Sequence, residues 1–226
     1  MLYVFIKEGF LLIWQRLSPI WRTCIEDAWE AYQHNSLPHG AVVTDAEDNI
    51  VARGRNRIRE YGDAGRQIAG NRLAHAELNA LIELDWRTVN IYGCKLYSVI
   101  EPCAMCIGAV LMPHMHVVHY AVRDGGAGGT TLIDKTPFFK SNEIQVTGPQ
   151  DSELEAVLLG LQVEATLSQK HPNPEAWIDL LTSKLPIGKT LGYALYETGL
   201  VPQWASEGKD AGFMIDQFHE QLLRLG

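Results

Sequence analysis

The chain carries His75-Ala76-Glu77 and, further along, Pro102-Cys103-Ala104-Met105-Cys106. Together these supply three good metal ligands, His75, Cys103 and Cys106, and one carboxylate, Glu77, that is not needed as a ligand. A catalytic zinc requires this inventory: three protein ligands, a fourth position open to water and a nearby base to handle the proton. Cys103 and Cys106 are spaced to share one face of a helix. Pro102 suits the first helical position, where a missing N–H costs nothing. The two sulfurs then fall in the first turn, at the positive end of the helix dipole, where thiolates are favoured. His75 and Glu77 are two apart and point different ways, so one holds the metal while the other reaches its water. Two thiolates cancel the charge of Zn²⁺, so the metal acidifies its water less than an all-histidine site would. A positioned carboxylate is therefore chemically useful.

Each part taken alone has a plainer meaning. A lone C-x-x-C is as readily a structural zinc site or a redox pair. A lone histidine at a helix start is usually a cap, and a lone glutamate in a first turn merely suits the dipole. The redox reading leaves the His-Ala-Glu segment without a purpose. Read together and in order, the residues indicate one catalytic Zn²⁺ per subunit, with His75, Cys103 and Cys106 as ligands and Glu77 as the catalytic group.

The elements that must position these groups follow from patterning. Ser18 to about Gln33 reads as a helix. Gly40–Thr44 and Ile50–Arg55 read as a hairpin around the turn at residues 45–49. A helical run spans Leu73 to Leu84, with Leu78, Leu81 and Ile82 as its apolar face. Lys95–Ile100 reads as a strand feeding the Cys103 helix, and a strand end meeting a helix start is where open α/β sheets place ligands. A strand at 116–122, a glycine-rich loop at 124–130, a short strand at 144–146 and a helix from Ser152 to about Leu167 complete the pattern. The loop lacks the Gly-Lys-Ser/Thr ending of a phosphate loop. The alternation implies an α/β fold, a three-layer α/β/α sandwich with a mixed central sheet of about five strands. Beyond it come helices near 174–184, 189–198 and 210–225, with apolar stripes at Trp177, Leu180 and Leu181 and at Phe213, Ile215, Phe218 and Leu222. They could dock on the sheet domain, pair with a second subunit or form a lid. The expected organisation is an N-terminal extension at residues 1–20, a zinc-dependent catalytic domain at 21–168 and a helical C-terminal extension at 169–226.

Bulk properties narrow the partners. The 226 residues are 46% hydrophobic and 20% charged, with a formal net charge of −8. An acidic balance opposes a folded nucleic acid as partner. Arg53, Arg55, Arg57 and Arg59 alternate and would share one strand face, either as a local basic patch or, preferably, as a solvated edge. Of four cysteines, Cys24 and Cys94 sit in apolar contexts as small buried side chains. A thiolate zinc site suits a reducing compartment, so a cytoplasmic setting is expected. The apolar start, Met1 to Trp14, is interrupted by Lys7 and Glu8 and reads as a packing segment and not a signal or a membrane span. No partnership with a membrane is expected.

From Trp21 to about Leu167 the chain resembles the cytidine deaminase-like superfamily, in the branch of tRNA-adenosine, guanine and yeast-type cytosine deaminases. The resemblance rests on Pro38-His39-Gly40-Ala41-Val42, Gly54-Arg55-Asn56-Arg57, His75-Ala76-Glu77-Leu78-Asn79-Ala80-Leu81 and Glu101-Pro102-Cys103-Ala104-Met105-Cys106-Ile107-Gly108-Ala109; the H-x-E and P-C-x-x-C elements form a known zinc-deaminase signature. It implies hydrolytic replacement of a ring amino group by a carbonyl, with loss of ammonia and Glu77 as proton shuttle. It also implies that Asn56 hydrogen-bonds the substrate and that Gly40, Ala41, Glu101 and Pro102 border the pocket. His39 stands where the family usually has an apolar residue and is expected to touch substrate. The branch's tRNA enzymes commonly end in a basic tail, which residues 138–143 here lack. A small nucleobase, nucleoside or related heterocycle is thus the expected substrate. A tRNA-specific adenosine deaminase and an inactive zinc-stabilised interaction module are the alternatives. The resemblance also implies a homodimer.

Overall fold

The computed structural model describes residues 12–225. Most of the expected N-terminal extension, including residues 1–11, therefore lies outside the described residues. After the short helix α1 (Ile13–Arg16), Ser18 caps α2 (Pro19–Gln33), its hydroxyl accepting from the Trp21 N–H, with Pro19 opening the helix. Strands β1 (Gly40–Thr44) and β2 (Ile50–Arg55) form the expected hairpin. Asp45 closes it, one carboxylate oxygen accepting from the N–H groups of Glu47 and Asn49. Then follow α3 (Ala76–Glu83), β3 (Lys95–Ile100), α4 (Ala104–Leu111), β4 (Val117–Val122), α5 (Pro137–Ser141), β5 (Gln145–Thr147) and α6 (Ser152–Ser168). Four further helices end the described chain: α7 (Pro174–Leu181), α8 (Ile187–Thr198), α9 (Leu200–Ser206) and α10 (Ala211–Leu225).

The five strands lie in the order β2-β1-β3-β4-β5. β1 is antiparallel to both β2 and β3, whereas β3, β4 and β5 run parallel. The sheet is mixed, as expected, because a tight turn joins β1 to β2 while β3 and β4 need a helical crossover. Alternate side chains serve two apolar layers. Ala41, Val43, Leu96 and Val118 pack with Ala80 and Leu81 of α3 and with Ile107 and Leu111 of α4. Val42, Val99 and Ala121 pack with Ile25 and Ala28 of α2 and Leu154, Val157 and Leu158 of α6. The second layer continues outward: Leu191 and Leu195 of α8, Trp204 of α9 and Met214, Ile215 and Phe218 of α10 belong to the same cluster. Contact between α6 and α8 is close, since a Cβ on Gly192 would stand 2.4 Å from the Cβ of Val163.

Several local expectations are corrected. The helix after the loop begins at Ala76, not Leu73, and Leu73 is exposed. Its buried face comprises Ala76, Ala80 and Leu81 with the polar Glu77 and Asn79, while Leu78 and Ile82 are only half-buried. The reason is the approach of β2: a Cβ on Gly54 would lie 2.2 Å from the Ala80 backbone nitrogen, so small residues occupy the contact. Pro102 stands before α4, not within it; the N-cap is Cys103, in extended conformation. In α7 it is Ile178 and Leu181 that are buried, with Leu180 exposed. Helix α9 has no counterpart in the sequence-based expectations; Gly199, at φ +65°, ends α8 in a left-handed cap and lets the chain turn into it.

Candidate metal centre and active site

Two helix N-termini converge at the site. His75 is the N-cap of α3, and Cys103 is the N-cap of α4 at the carboxyl end of β3. The Cys103 and Cys106 sulfurs lie 3.7 and 3.6 Å from His75 Nδ1 and 3.6 Å from each other. A tetrahedral zinc with ordinary bond lengths places two sulfurs about 3.8 Å apart and sulfur and nitrogen about 3.6 Å apart. The triangle therefore fits the ion, and its sulfur separation excludes a disulfide. The donor set suits it as well, since thiolate and imidazole are zinc's preferred ligands. The Cys103 thiol is pulled well down by the hydrogen bond from Cys106 and then by His75, while Cys106 is pushed up by its bond to Cys103 and by burial. A divalent cation would take both sulfurs as thiolates and displace their protons.

Glu77 lies in the first turn of α3, almost wholly buried. One of its oxygens is 3.5 Å from Cys106 Sγ, and the other accepts from the Ser98 hydroxyl at 3.3 Å. Burial is the main reason its proton affinity is raised. Ser98, fully buried on β3 opposite Ala41, is a site residue that the sequence reading missed. Its only sequence signal is a hydroxyl within the apolar run Leu96–Ile100.

Asn56 follows β2 and is fully buried. Its Oδ1 accepts from the Ile58 N–H, but its Nδ2 has no partner. A buried amide donor left unpaired costs free energy and marks a place where a ligand atom belongs. The Asn56 N–H donates to the His39 carbonyl at 2.9 Å, which sets the two residues side by side. His39 is only partly accessible and close enough to His75 and Cys103 to feel their charges. Its Nε2 lies 2.9 Å from Oε1 of Gln162 on α6. Gln162 was likewise missed; its signal is a polar residue inside the apolar run of α6.

The remaining expected pocket residues have other engagements. Gly40 is pressed on α2, where a Cβ would stand 2.0 Å from the Cys24 carbonyl oxygen. Ala41 is fully buried in the layer shared with α3. Glu101 directs its carboxylate to the loop at 124–130, accepting from the Asp124 N–H and from the Thr130 N–H and hydroxyl. The Pro102 carbonyl accepts from the Gly129 N–H. That loop is also covered from outside: a Cβ on Gly125 would meet the Leu180 carbonyl and one on Gly126 the Trp177 ring, so α7 lies directly upon it.

The arginine series is not a single surface: Arg53 is half-exposed, as at a solvated edge, whereas Arg55, Arg57 and Arg59 are more deeply set. Arg53 pairs with both oxygens of Asp27, and Arg55 pairs with Glu30 and Glu60. Arg57 also pairs with Glu60, and Arg59 donates to Asn35 O and Gln169 Oε1. Strand β2 ends at Arg55, so Arg57 and Arg59 never share its face.

The family model for the cytidine and deoxycytidylate deaminase zinc-binding region matches residues 15–122. A tRNA-specific adenosine deaminase of Bacillus subtilis is 30% identical over 146 residues, which span 61% of this chain and 83% of that protein. A tRNA(Ile)-lysidine synthase of Deinococcus radiodurans is 38% identical over 109 residues, but the match covers 46% of this chain and only 17% of the much longer relative. A solved structure of a variant protein in complex with 8-azaguanine shares the fold at TM-score 0.50 and 21% identity, covering 66% of this chain and 85% of that one. The matched stretch contains the helix N-termini that bring His75, Cys103 and Cys106 together, and the Bacillus relative aligns over most of its own length. The chain belongs to the cytidine and deoxycytidylate deaminase zinc-binding family and is a zinc-dependent hydrolytic C–N deaminase.

Proposed function

We propose that the substrate is a small aminated heterocycle, a nucleobase or nucleoside, that His75, Cys103 and Cys106 hold the zinc, and that Glu77 carries the protons of the reaction. The observation that carries the assignment is the position of Glu77: buried, beside Cys106 Sγ, yet outside the ligand triangle. A structural zinc site has no use for such a group. When bound, the metal supplies an acidified water as nucleophile at neutral pH. Glu77 would carry one proton of the attacking water to the ring nitrogen and the other to the departing amine, which leaves as ammonia. Ser98 steadies one Glu77 oxygen through its hydroxyl, leaving the other directed at the ligand cluster. Asn56 offers its unpaired Nδ2 to an acceptor on the substrate ring. The Glu101-clamped loop, backed by α7, walls the Cys103 side and favours a ligand of limited size.

The name of the Bacillus relative makes deamination of an adenosine in tRNA the second reading. The pairing of Arg53, Arg55 and Arg57 with carboxylates of this chain weighs against it, because phosphate binding draws on cations not already neutralised. Ammonia release from a panel of bases, nucleosides and tRNA, with Glu77→Gln as the blank, tests the proposal. Turnover of a small compound, abolished in the blank, supports it. Release from tRNA alone overturns the small-substrate reading. Silence across the panel with zinc bound favours a non-catalytic zinc module. Homodimerisation, implied by the resemblance, is tested by the molecular mass in solution.

A further inference from the structure

Gln162 has one orientation open to it. The Pro38 carbonyl can only accept, so the Gln162 atom 3.0 Å from it is the donor Nε2. Oε1 then faces His39, and the His39 nitrogen 2.9 Å from it, Nε2, must carry the proton. In the neutral ring this leaves Nδ1 bare, an acceptor. Nδ1 has no partner among the described residues, and it is not one of the nitrogens closed off from solvent. Next to it, across the bond from the Asn56 N–H to the His39 carbonyl, Asn56 Nδ2 is a buried donor without a partner. One open acceptor and one open donor are therefore carried by two residues joined through their backbones, and His39 feels the charges of the metal ligands His75 and Cys103.

The geometry points to His39 and Asn56 as a specificity pair that reads a ring edge bearing an N–H beside a hydrogen-bond acceptor, with Gln162 as the residue that positions His39. This inference rests on the small-heterocycle reading above and sharpens it. Burial, and then the neighbouring His75, hold the His39 ring down to about 4, so it is neutral at physiological pH. A planar –NH–C(=O)– or –NH–C=N– edge satisfies both groups at once. A ring nitrogen that is alkylated or glycosylated at that position would leave Nδ1 facing carbon. Sites built to bond a donor discriminate strongly against analogues that lack it, because their own polar group is then left unpaired.

The test is calorimetric binding to zinc-loaded Glu77→Gln protein, which retains ligand without turning it over. The probes are cytosine and 1-methylcytosine, guanine and its 1-, 7- and 9-methyl forms, and adenine and 9-methyladenine. Two further substitutions in that background separate hydrogen bonding from crowding. H39Q keeps a donor toward Gln162 but has no acceptor at the Nδ1 position; H39N keeps an acceptor there. The expected result is that one parent base binds about tenfold or more tighter than one of its methyl forms. H39Q should bring that ratio near one by weakening the parent, and H39N should largely restore it. Q162L should weaken parent binding while zinc content stays unchanged. Discrimination that survives H39Q intact comes from steric exclusion and overturns the inference. So does equal binding of parents and methyl forms, with the function reading untouched. A panel in which no base binds overturns the inference together with the reading on which it rests.

Discussion

Glu101 holds Thr130 through two contacts, accepting from both its N–H and its hydroxyl, while the other carboxylate oxygen accepts from the Asp124 N–H. One side chain thus closes the seven-residue loop after β4, whose Gly128 and Gly129 lie against Cys103 and Pro102. The glycines are required there: a Cβ on Gly128 would stand 2.5 Å from the Glu101 carboxyl carbon. Glu101→Ala should therefore release the loop at both ends. We expect a destabilisation of about 1–3 kcal/mol from the unpaired amides. Amide exchange should accelerate at Asp124 and Thr130 before the rest of the sheet. Unchanged exchange at those two positions would refute the clamp.

Ser98→Ala separates the carboxylate's support from the metal's. Glu77 Oε1 loses its hydroxyl donor while the three ligands are untouched. Zinc content should stay at one per chain, and kcat should fall about tenfold, the effect of one lost hydrogen bond to a charged group. Cys106→Ala, by contrast, removes a ligand and should empty the site. Metal analysis and thermal unfolding, with and without chelator, distinguish the two. A Ser98→Ala protein that loses zinc would show that the serine supports the ligand cluster and not Glu77.

Gly54→Ala tests how the sheet seats α3. The added Cβ would fall 2.2 Å from the Ala80 nitrogen and 2.6 Å from the Ala76 carbonyl oxygen, both backbone atoms that cannot rotate away. Strand and helix must separate, carrying His75 and Glu77 off the cysteines. Overpacking of this kind costs about 1–3 kcal/mol, and the rigidity of the contact places it at the upper end. The measurable outcome is a lower unfolding midpoint with weakened zinc retention; a variant as stable as the parent would show that β2 can shift without cost.

Much of this was legible in the sequence. The hairpin, the strand before the cysteines and the existence of the two helices, though not their first residues, follow from short-range signals: alternation, an Asx turn and a Pro-Cys entry. The grouping of His75, Cys103, Cys106 and Glu77 follows from type and spacing. The groups that tune the site were not legible, because their partners are remote in the chain. Gln162 meets His39 across 123 positions, and Ser98 meets Glu77 across 21. Periodicity also misplaced the buried face of α3, where packing against a strand backbone selects alanines over the leucines that hydropathy favours. The arginine series misled for a related reason: alternation suggested one face, but acids on α2 and in the loop after β2 claim Arg53, Arg55 and Arg57, and neutral oxygens claim Arg59.

Arg53→Gln turns that last point into a measurement. Asp27 is nearly buried on α2, and its carboxylate is held by Arg53 on both oxygens. Burial nonetheless raises the Asp27 pKa to about 6, with Arg53 the chief opposing influence. Its folded value thus exceeds its unfolded one, so the ionised form is a liability above about pH 6 that protonation removes as the pH falls toward 4. Removing Arg53 raises the folded value further. The substitution should cost about 1–3 kcal/mol above pH 6, less than a fully buried pair because Arg53 is half-exposed, and progressively less on acidification. Denaturant unfolding at pH 5 and pH 7.5 reads the difference directly. If Arg53 instead served a polynucleotide backbone, Arg53→Gln would leave stability unchanged and flatten the salt dependence of RNA binding by about one counterion. Our expectation is the reverse: a stability loss that grows with pH, and no change in that slope.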